Sequence, residues 1–181
     1  MAKKWTAEEI DLDKYDVAKL VVELLDDIRE QDKEDLLASG NDEAFAVIGS
    51  IRLSEKVLVY RGENGKLLCI LGVGLPSWQS VGRGVWMLGT NELYNGYVKE
   101  VLVKEGYYVF HKFAQEYGLI HNVVYENNKT SIRYLKYLGA VFLTEAKVTA
   151  DGKKFYQFYM TADYRVPRLY QHNRYGKEVQ K

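Results

Sequence analysis

The sequence predicts an α+β fold, a central mixed sheet flanked by helices, and three observations carry that prediction. Hydrophobic residues recur at helical spacing over residues 17–28 and again over 98–117, but run in blocks of strand length at 57–60, 66–73 and 85–90. Between the first two blocks stands Gly62-Glu63-Asn64-Gly65, and its Asn-Gly pair suits the positive φ angles of a tight hairpin. Two further blocks flank Asp151-Gly152 near the C-terminal end, beyond a second strand-then-helix passage. Hairpins joined to strand–helix–strand units require a sheet with both antiparallel and parallel pairs.

Each element follows in chain order. A short strand is expected around residues 9–12. Val17, Leu20, Val21, Leu24, Leu25 and Ile28 then form one face of an amphipathic helix, with Asp13 or Asp16 as its cap. Asp32 and Asp35 open a shorter helical turn through Leu37, closed by Gly40, and Asn41 or Asp42 caps a third helix to about Ile51. After the hairpin, a loop rich in glycine and serine over 74–84 leads into the third strand. The longest helix, 98–117, aligns Val98, Val101, Leu102, Val109, Phe110, Phe113 and Tyr117 and stops at Gly118. Gly106 inside it costs about 1 kcal/mol relative to alanine, so it marks a close approach to the sheet. Residues 119–125 form a strand, 129–138 a helix, and 142–148 with 155–160 a closing hairpin. One domain is expected over 1–160, followed by a basic extension over 161–181.

Composition sets further bounds. The 181 residues are 47% hydrophobic and 28% charged with two prolines, which excludes a disordered, collagenous or repeat protein. The longest apolar run, residues 67–75, is half the ~20 residues of a membrane helix, and no apolar stretch follows the basic start, so neither a membrane partner nor a secretory signal is expected. Net charge is zero, yet residues 1–43 hold 14 acidic against 6 basic side chains, and residues 164–181 hold five basic against one acidic. A solvated surface accounts for both, including Asp26, Asp27, Asp32 and Asp35 along a helix edge. Cys69, solitary in an apolar run, is expected as a buried thiol. His111, His121 and His172 lack metal-ligand spacing, so no metal site is expected. Tyr94, Tyr97, Tyr107 and Tyr108 cluster about the long helix as half-buried packing that also suits a protein interface.

The most informative stretch runs from Asn128 to Ala140, Asn-Lys-Thr-Ser-Ile-Arg-Tyr-Leu-Lys-Tyr-Leu-Gly-Ala, directly after the strand ending at Tyr125. Asn128 caps a helix, Ser131, Leu135 and Leu138 share one face, and Gly139 turns the chain. The stretch resembles the GNAT superfamily of acyl-CoA-dependent N-acetyltransferases, where a strand runs into Asn-x-x-Ala/Ser-Ile-x-Leu-Tyr-x-x-Leu-Gly-Phe. Asn128, Ser131, Ile132, Leu138 and Gly139 stand at the corresponding places, and the order of elements over residues 8–160 agrees. With the acidic stretch 27–34 and the strand holding Trp86 and Thr90, the chain is similar to a phage-encoded GNAT-like family that includes an internal virion or assembly protein of short-tailed coliphages.

The resemblance implies acetyl-CoA between splayed third and fourth strands, with an amine attacking its thioester and no metal required. Met87 and Leu88 would supply backbone donors to the pantetheine, the turn with Thr90, Asn95 and Gly96 would take the diphosphate, and Asn128 with Ser131 would line the other side. Glu126 is the candidate base, and Tyr134 and Tyr137 are the candidate phenolic acids. The chain departs from the family at two places. The loop Arg/Gln-x-x-Gly-x-Gly/Ala is matched by Gly96 alone, with Glu92 adding negative charge, and the family's tyrosine position is Leu135, about 100° around the helix from Tyr134. Two functions follow: an acetyltransferase-like enzyme taking an acyl-CoA and an amine, or a non-catalytic virion-associated, assembly or host-protein-binding phage protein on the same scaffold. Either would work in the cytoplasm of a bacterial host, or in the virion. Nucleic-acid binding through the basic tail is disfavoured by the acidic N-terminal third.

Overall fold

The structure, a computed structural model, describes residues 4–40, 42–75, 82–149 and 151–162. Among these residues seven strands form one sheet in the order β1-β2-β3-β4-β5-β7-β6. β1 (Trp5–Glu9), β2 (Lys56–Gly62), β3 (Leu67–Leu75) and β4 (Arg83–Gly89) pair antiparallel as one half. β5 (Leu119–Tyr125), β6 (Val141–Val148) and β7 (Lys154–Thr161) form the other, with β7 between its two neighbours. The halves meet where β4 runs parallel to β5, through two residue pairs only, Arg83 with Ile120 and Gly84 with His121.

Helices cover both faces, which is why β3 reads as an unbroken apolar run and not as an alternation. On one face α1 (Val17–Asp26) and α3 (Glu43–Leu53) enclose Val57, Val59, Ile70 and Trp86. α2 (Glu30–Ala38) follows α1 on the same side. On the other, α4 (Tyr107–Tyr117) and α5 (Lys129–Leu138) pack on Leu68, Leu71, Val73, Ile120 and Met160. Asp16 and Asp42 cap α1 and α3 by accepting the amides of Lys19 and Phe45, each at 3.0 Å. The first strand lies earlier than residues 9–12. Trp5 is buried against Tyr60, with ring centroids 5.8 Å apart, and it anchors β1 there. Beyond it the chain turns as Asp11 accepts from the Asp13 amide and from Lys14 Nζ.

The long helix is divided. Val98–Gly106 is wound as a π-helix, and only the part from Tyr107 is α. Two tyrosines of α5 explain the wider winding. Tyr134 and Tyr137 donate their hydroxyls to the carbonyls of Leu102 and Val103, each at 3.0 Å, drawing those carbonyls out of α-helical pairing. Gly106 does mark a close approach, but to α5 and not to the sheet, because a Cβ there would collide with the Tyr134 hydroxyl. Gly106→Ala is therefore expected to destabilise the fold by about 1–3 kcal/mol through overpacking. Removing the clashing oxygen with Tyr134→Phe should recover part of that loss, and a double-mutant cycle of urea midpoints checks the coupling. Additive losses would contradict the contact.

No helix among the described residues is long and apolar enough to cross a membrane. The basic tail over 164–181, the Asn41 cap and the middle of the 74–84 loop lie outside the described residues.

Candidate functional site

After Gly84 and His121 the two central strands diverge and open a cleft of about 450 Å³, walled by α2 and α3 on one side and by α5 with Phe110 on the other. The β4 edge facing this cleft is set by strand alternation. Thr90 N–H donates to Leu68 O at 2.9 Å, so even-numbered residues of the strand bond to β3, while Val85, Met87 and Gly89 turn their peptide groups towards β5. Val85 C=O accepts from Asn122 Nδ2 at 2.8 Å. Gly89 C=O accepts from Arg29 N–H at 3.0 Å, and Gly89 N–H donates to Asp32 Oδ2 at 2.7 Å. Between these engaged residues, Met87 presents its N–H and C=O to the cleft. The peptide of Leu88 faces β3.

The segment that holds Gly89 also bridges the open end of the cleft. Arg29 and Asp32 are 3% and 2% exposed, and Asp32 Oδ2 accepts from Arg29 Nε at 2.9 Å and Nη2 at 2.7 Å. Burial raises the Asp32 carboxyl above its usual range, against the opposing pull of Arg29 and the Gly89 amide. Glycine at position 89 leaves room for the guanidinium, because a Cβ there would stand 2.8 Å from Arg29 Nε and would displace it. One turn further along α2, Asp35 Oδ1 accepts from Tyr125 N–H at 2.8 Å and Oδ2 from Asn128 Nδ2 at 3.3 Å. The same Asn128 Nδ2 reaches Gln31 C=O at 3.2 Å, and its Oδ1 accepts the Ser131 amide at 3.0 Å, capping α5. α2 thus spans from the end of β4 to the end of β5. Burial pushes the Asp35 carboxyl up to about 6, although it accepts two hydrogen bonds. The assignment of Asp32 and Asp35 to a solvated face is corrected here, whereas Asp26 and Asp27 are exposed as expected.

The turn after β4 is closed by its own groups. The Thr90 hydroxyl donates to Leu67 C=O at 2.6 Å. The amides of Asn91 and Glu92 donate to Asp27 C=O at 2.9 Å and to Asp27 Oδ2 at 3.2 Å. Glu92, 8% exposed, accepts from Asn64 Nδ2 at 2.9 Å, Asn95 Nδ2 at 3.0 Å and Lys66 Nζ at 3.3 Å. These donors, Asn64 foremost, hold its carboxyl below the usual range. Glu23, Asp27 and Glu92 give the adjoining pocket of about 420 Å³ an acidic lining, with Lys66 as its cation. The N-cap residue Tyr97 makes no side-chain bond to the π-helix, so the N–H groups of its first turn, Val98 to Glu100, are donors available at this junction among the described residues. Gly96 precedes them with φ +96°.

Of the residues singled out from the sequence, the cleft gathers Met87, Leu88, Ser131 and Tyr134, while Thr90 and Asn95 line the acidic pocket. Gly96, Glu126, Asn128 and Tyr137 line neither. The Glu126 amide donates to Lys154 C=O at 2.9 Å, and Asn128 is 0% exposed. Burial lifts the Tyr134 phenol well above its usual range. Asp32, Asp35, Ser39, Ser50 and Asn122 also line the cleft; the sequence puts the two aspartates on a solvated face and carries no expectation for the other three. An available cue was the Arg29-x-x-Asp32 spacing, which places opposite charges on one side of a helical turn.

The sheet order, the two-pair β4–β5 junction and the helices on both faces make this the fold of the GNAT N-acetyltransferases. No family model matches the sequence, and no curated protein matches it. Solved structures do match. The chain is similar to an aminoglycoside N(6')acetyltransferase from Legionella pneumophila with a TM-score of 0.60 and 8% identity, over 90% of this chain and 95% of that one. Similarity to the spermidine N-acetyltransferase from Vibrio cholerae, solved with CoA and spermine, has a TM-score of 0.57 and 10% identity over 87% and 95%. For yncA from Salmonella typhimurium, solved with its cofactor acetyl-CoA, the TM-score is 0.58 and the identity 13%, over 91% and 98%. At such identities the likeness is one of fold. Among the described residues no group of three or more His, Cys, Asp or Glu is placed to hold a metal ion.

Proposed function

We propose that this protein is an acetyl-CoA-dependent N-acyltransferase acting on an amine. The observation that carries this reading is the β4 edge at Met87, where the N–H and C=O of one residue face a mostly apolar cleft between two residues whose groups are already engaged. An extended amide-bearing arm adds to such an edge as a strand does. The residues present fit an acetyl-CoA in two parts. The arm would lie along Met87, and its diphosphate would meet the first-turn amides from Val98, with Gly96 allowing close approach.

When bound, acetyl-CoA supplies a thioester whose carbonyl carbon takes the amine lone pair, the C–N bond forming as C–S breaks and one amine proton ending on sulfur. Met87 N–H orients the carbonyl oxygen. Leu88, Ser131 and Tyr134 form the wall and exclude water, and Asn128 holds α2 against α5. Thr90 and Asn95 shape the turn, Asn95 by bonding to Glu92. An acceptor that arrives as an ammonium gives its extra proton to solvent water before the neutral amine attacks, because Glu126 lines neither the cleft nor the acidic pocket. The phenols of Tyr134 and Tyr137 stand on the carbonyls of Leu102 and Val103 and reach a departing sulfur only by releasing them.

Calorimetric titration is expected to give saturable acetyl-CoA binding in the micromolar to millimolar range, with a rise of several degrees in Tm that ATP does not reproduce. Absence of binding at millimolar acetyl-CoA would overturn the proposal. One feature favours a second reading, a virion-associated or host-protein-binding phage protein on a GNAT scaffold. The carboxylates of Asp27 and Glu92 stand in the turn after β4, where they disfavour a nearby diphosphate. That reading predicts a flat titration.

A further inference from the structure

The acceptor side of the cleft has an uneven chemistry. Two carboxylates stand in it, and Asp32 is balanced by Arg29 through two hydrogen bonds. Asp35 accepts only uncharged donors, the Tyr125 amide and Asn128 Nδ2, and pairs with no cation among the described residues. The rest of the cleft lining is uncharged and mostly apolar, with Leu36, Trp86, Leu88, Phe155 and Phe158 among it. At the rim, Phe45 on α3 lines the same cleft and is 72% exposed, an aromatic ring kept in water beside the opening. A single carboxylate in an apolar cleft has one kind of complement, an ammonium group on an apolar body. A second ammonium drawn in with it would be stripped of water with no partner.

We infer that the acyl acceptor is a primary amine with one cationic head and an aromatic or aliphatic body, its head held by Asp35 and its body by the Phe45 side of the cleft. This inference rests on the acyltransferase reading of the same cleft. It separates this chain from the Vibrio and Legionella structures, whose names give a polyamine and an aminoglycoside as substrates.

The test titrates the full chain with 2-phenylethylamine, its uncharged counterpart 2-phenylethanol, and spermidine, each with and without acetyl-CoA. 2-Phenylethylamine is expected to bind at least about tenfold more tightly than the other two, the scale of one desolvated charge pair. Asp35→Asn should erase the preference for amine over alcohol. Phe45→Lys, at an exposed position that leaves the core intact, should weaken 2-phenylethylamine several-fold and so tests the site should Asp35→Asn fail to fold. Tighter binding of spermidine, or unchanged 2-phenylethylamine affinity in both variants, overturns the inference. Acetyl-CoA binding without 2-phenylethylamine binding defeats the acceptor class alone. Amine binding through Asp35 without acetyl-CoA binding defeats the acyltransferase reading and leaves the amine site standing.

Discussion

Asp32→Ala is expected to lower the unfolding free energy by about 3–5 kcal/mol, the cost of leaving a buried charge without its partner. Arg29 would keep its guanidinium at 3% exposure with nothing opposite it, and the Gly89 amide would lose its acceptor at the end of β4. For a chain of this length the loss corresponds to roughly 10 °C in Tm. Removing both charges together, with Arg29→Met and Asp32→Leu, should cost much less than removing Asp32 alone, because apolar side chains need no counter-charge. Urea unfolding of the parent, the single variant and the pair decides the matter. A single-variant loss below about 1 kcal/mol would mean that water already reaches the pair.

The second large effect concerns pH. Asp35 titrates at about 6 in the folded protein against an ordinary 3.8, so the native state holds that proton more tightly than the unfolded chain does. Its contribution to stability is therefore fully present below about pH 4 and is lost as pH rises through 6, a change of about 2–3 kcal/mol. Asp35→Asn cannot titrate. The stability of the variant relative to the parent should climb by that amount between pH 4 and pH 8, whatever the constant offset from altered hydrogen bonds. A difference that stays flat over this range would show the carboxyl to be more solvated than its surroundings imply.

Both predictions concern residues whose role local sequence does not display. α2 is almost uniformly polar over Glu-Gln-Asp-Lys-Glu-Asp, so no apolar stripe signals that one side of it is buried. Its anchors lie far off in the chain, with Asp32 bonded to Gly89, Asp35 to Tyr125, and Gln31 to Asn128. By contrast, α5 and β5 are legible to the residue, because Asn128 caps one end of the helix and Gly139, at φ +86°, stops the other. The hairpin at Asn64-Gly65 is legible for the same local reason. The π-helical winding is not, since two hydroxyls from a later helix impose it. At the candidate site, the motif over 128–139 draws attention to the right part of the chain. What β4 offers an incoming arm, however, is the backbone N–H and C=O of Met87, and backbone groups carry no side-chain signature.

The two-pair contact between β4 and β5 makes the sheet two plates on a short hinge, and α2 is the brace fixed across the open side. The width of the gap is set by bonds formed during folding, at Gly89 on one plate and at Tyr125 and Asn128 on the other. A ligand entering between the plates meets a preorganised slot. The entropy of shaping that slot is lost once, when the chain folds, and does not have to be subtracted from each binding event.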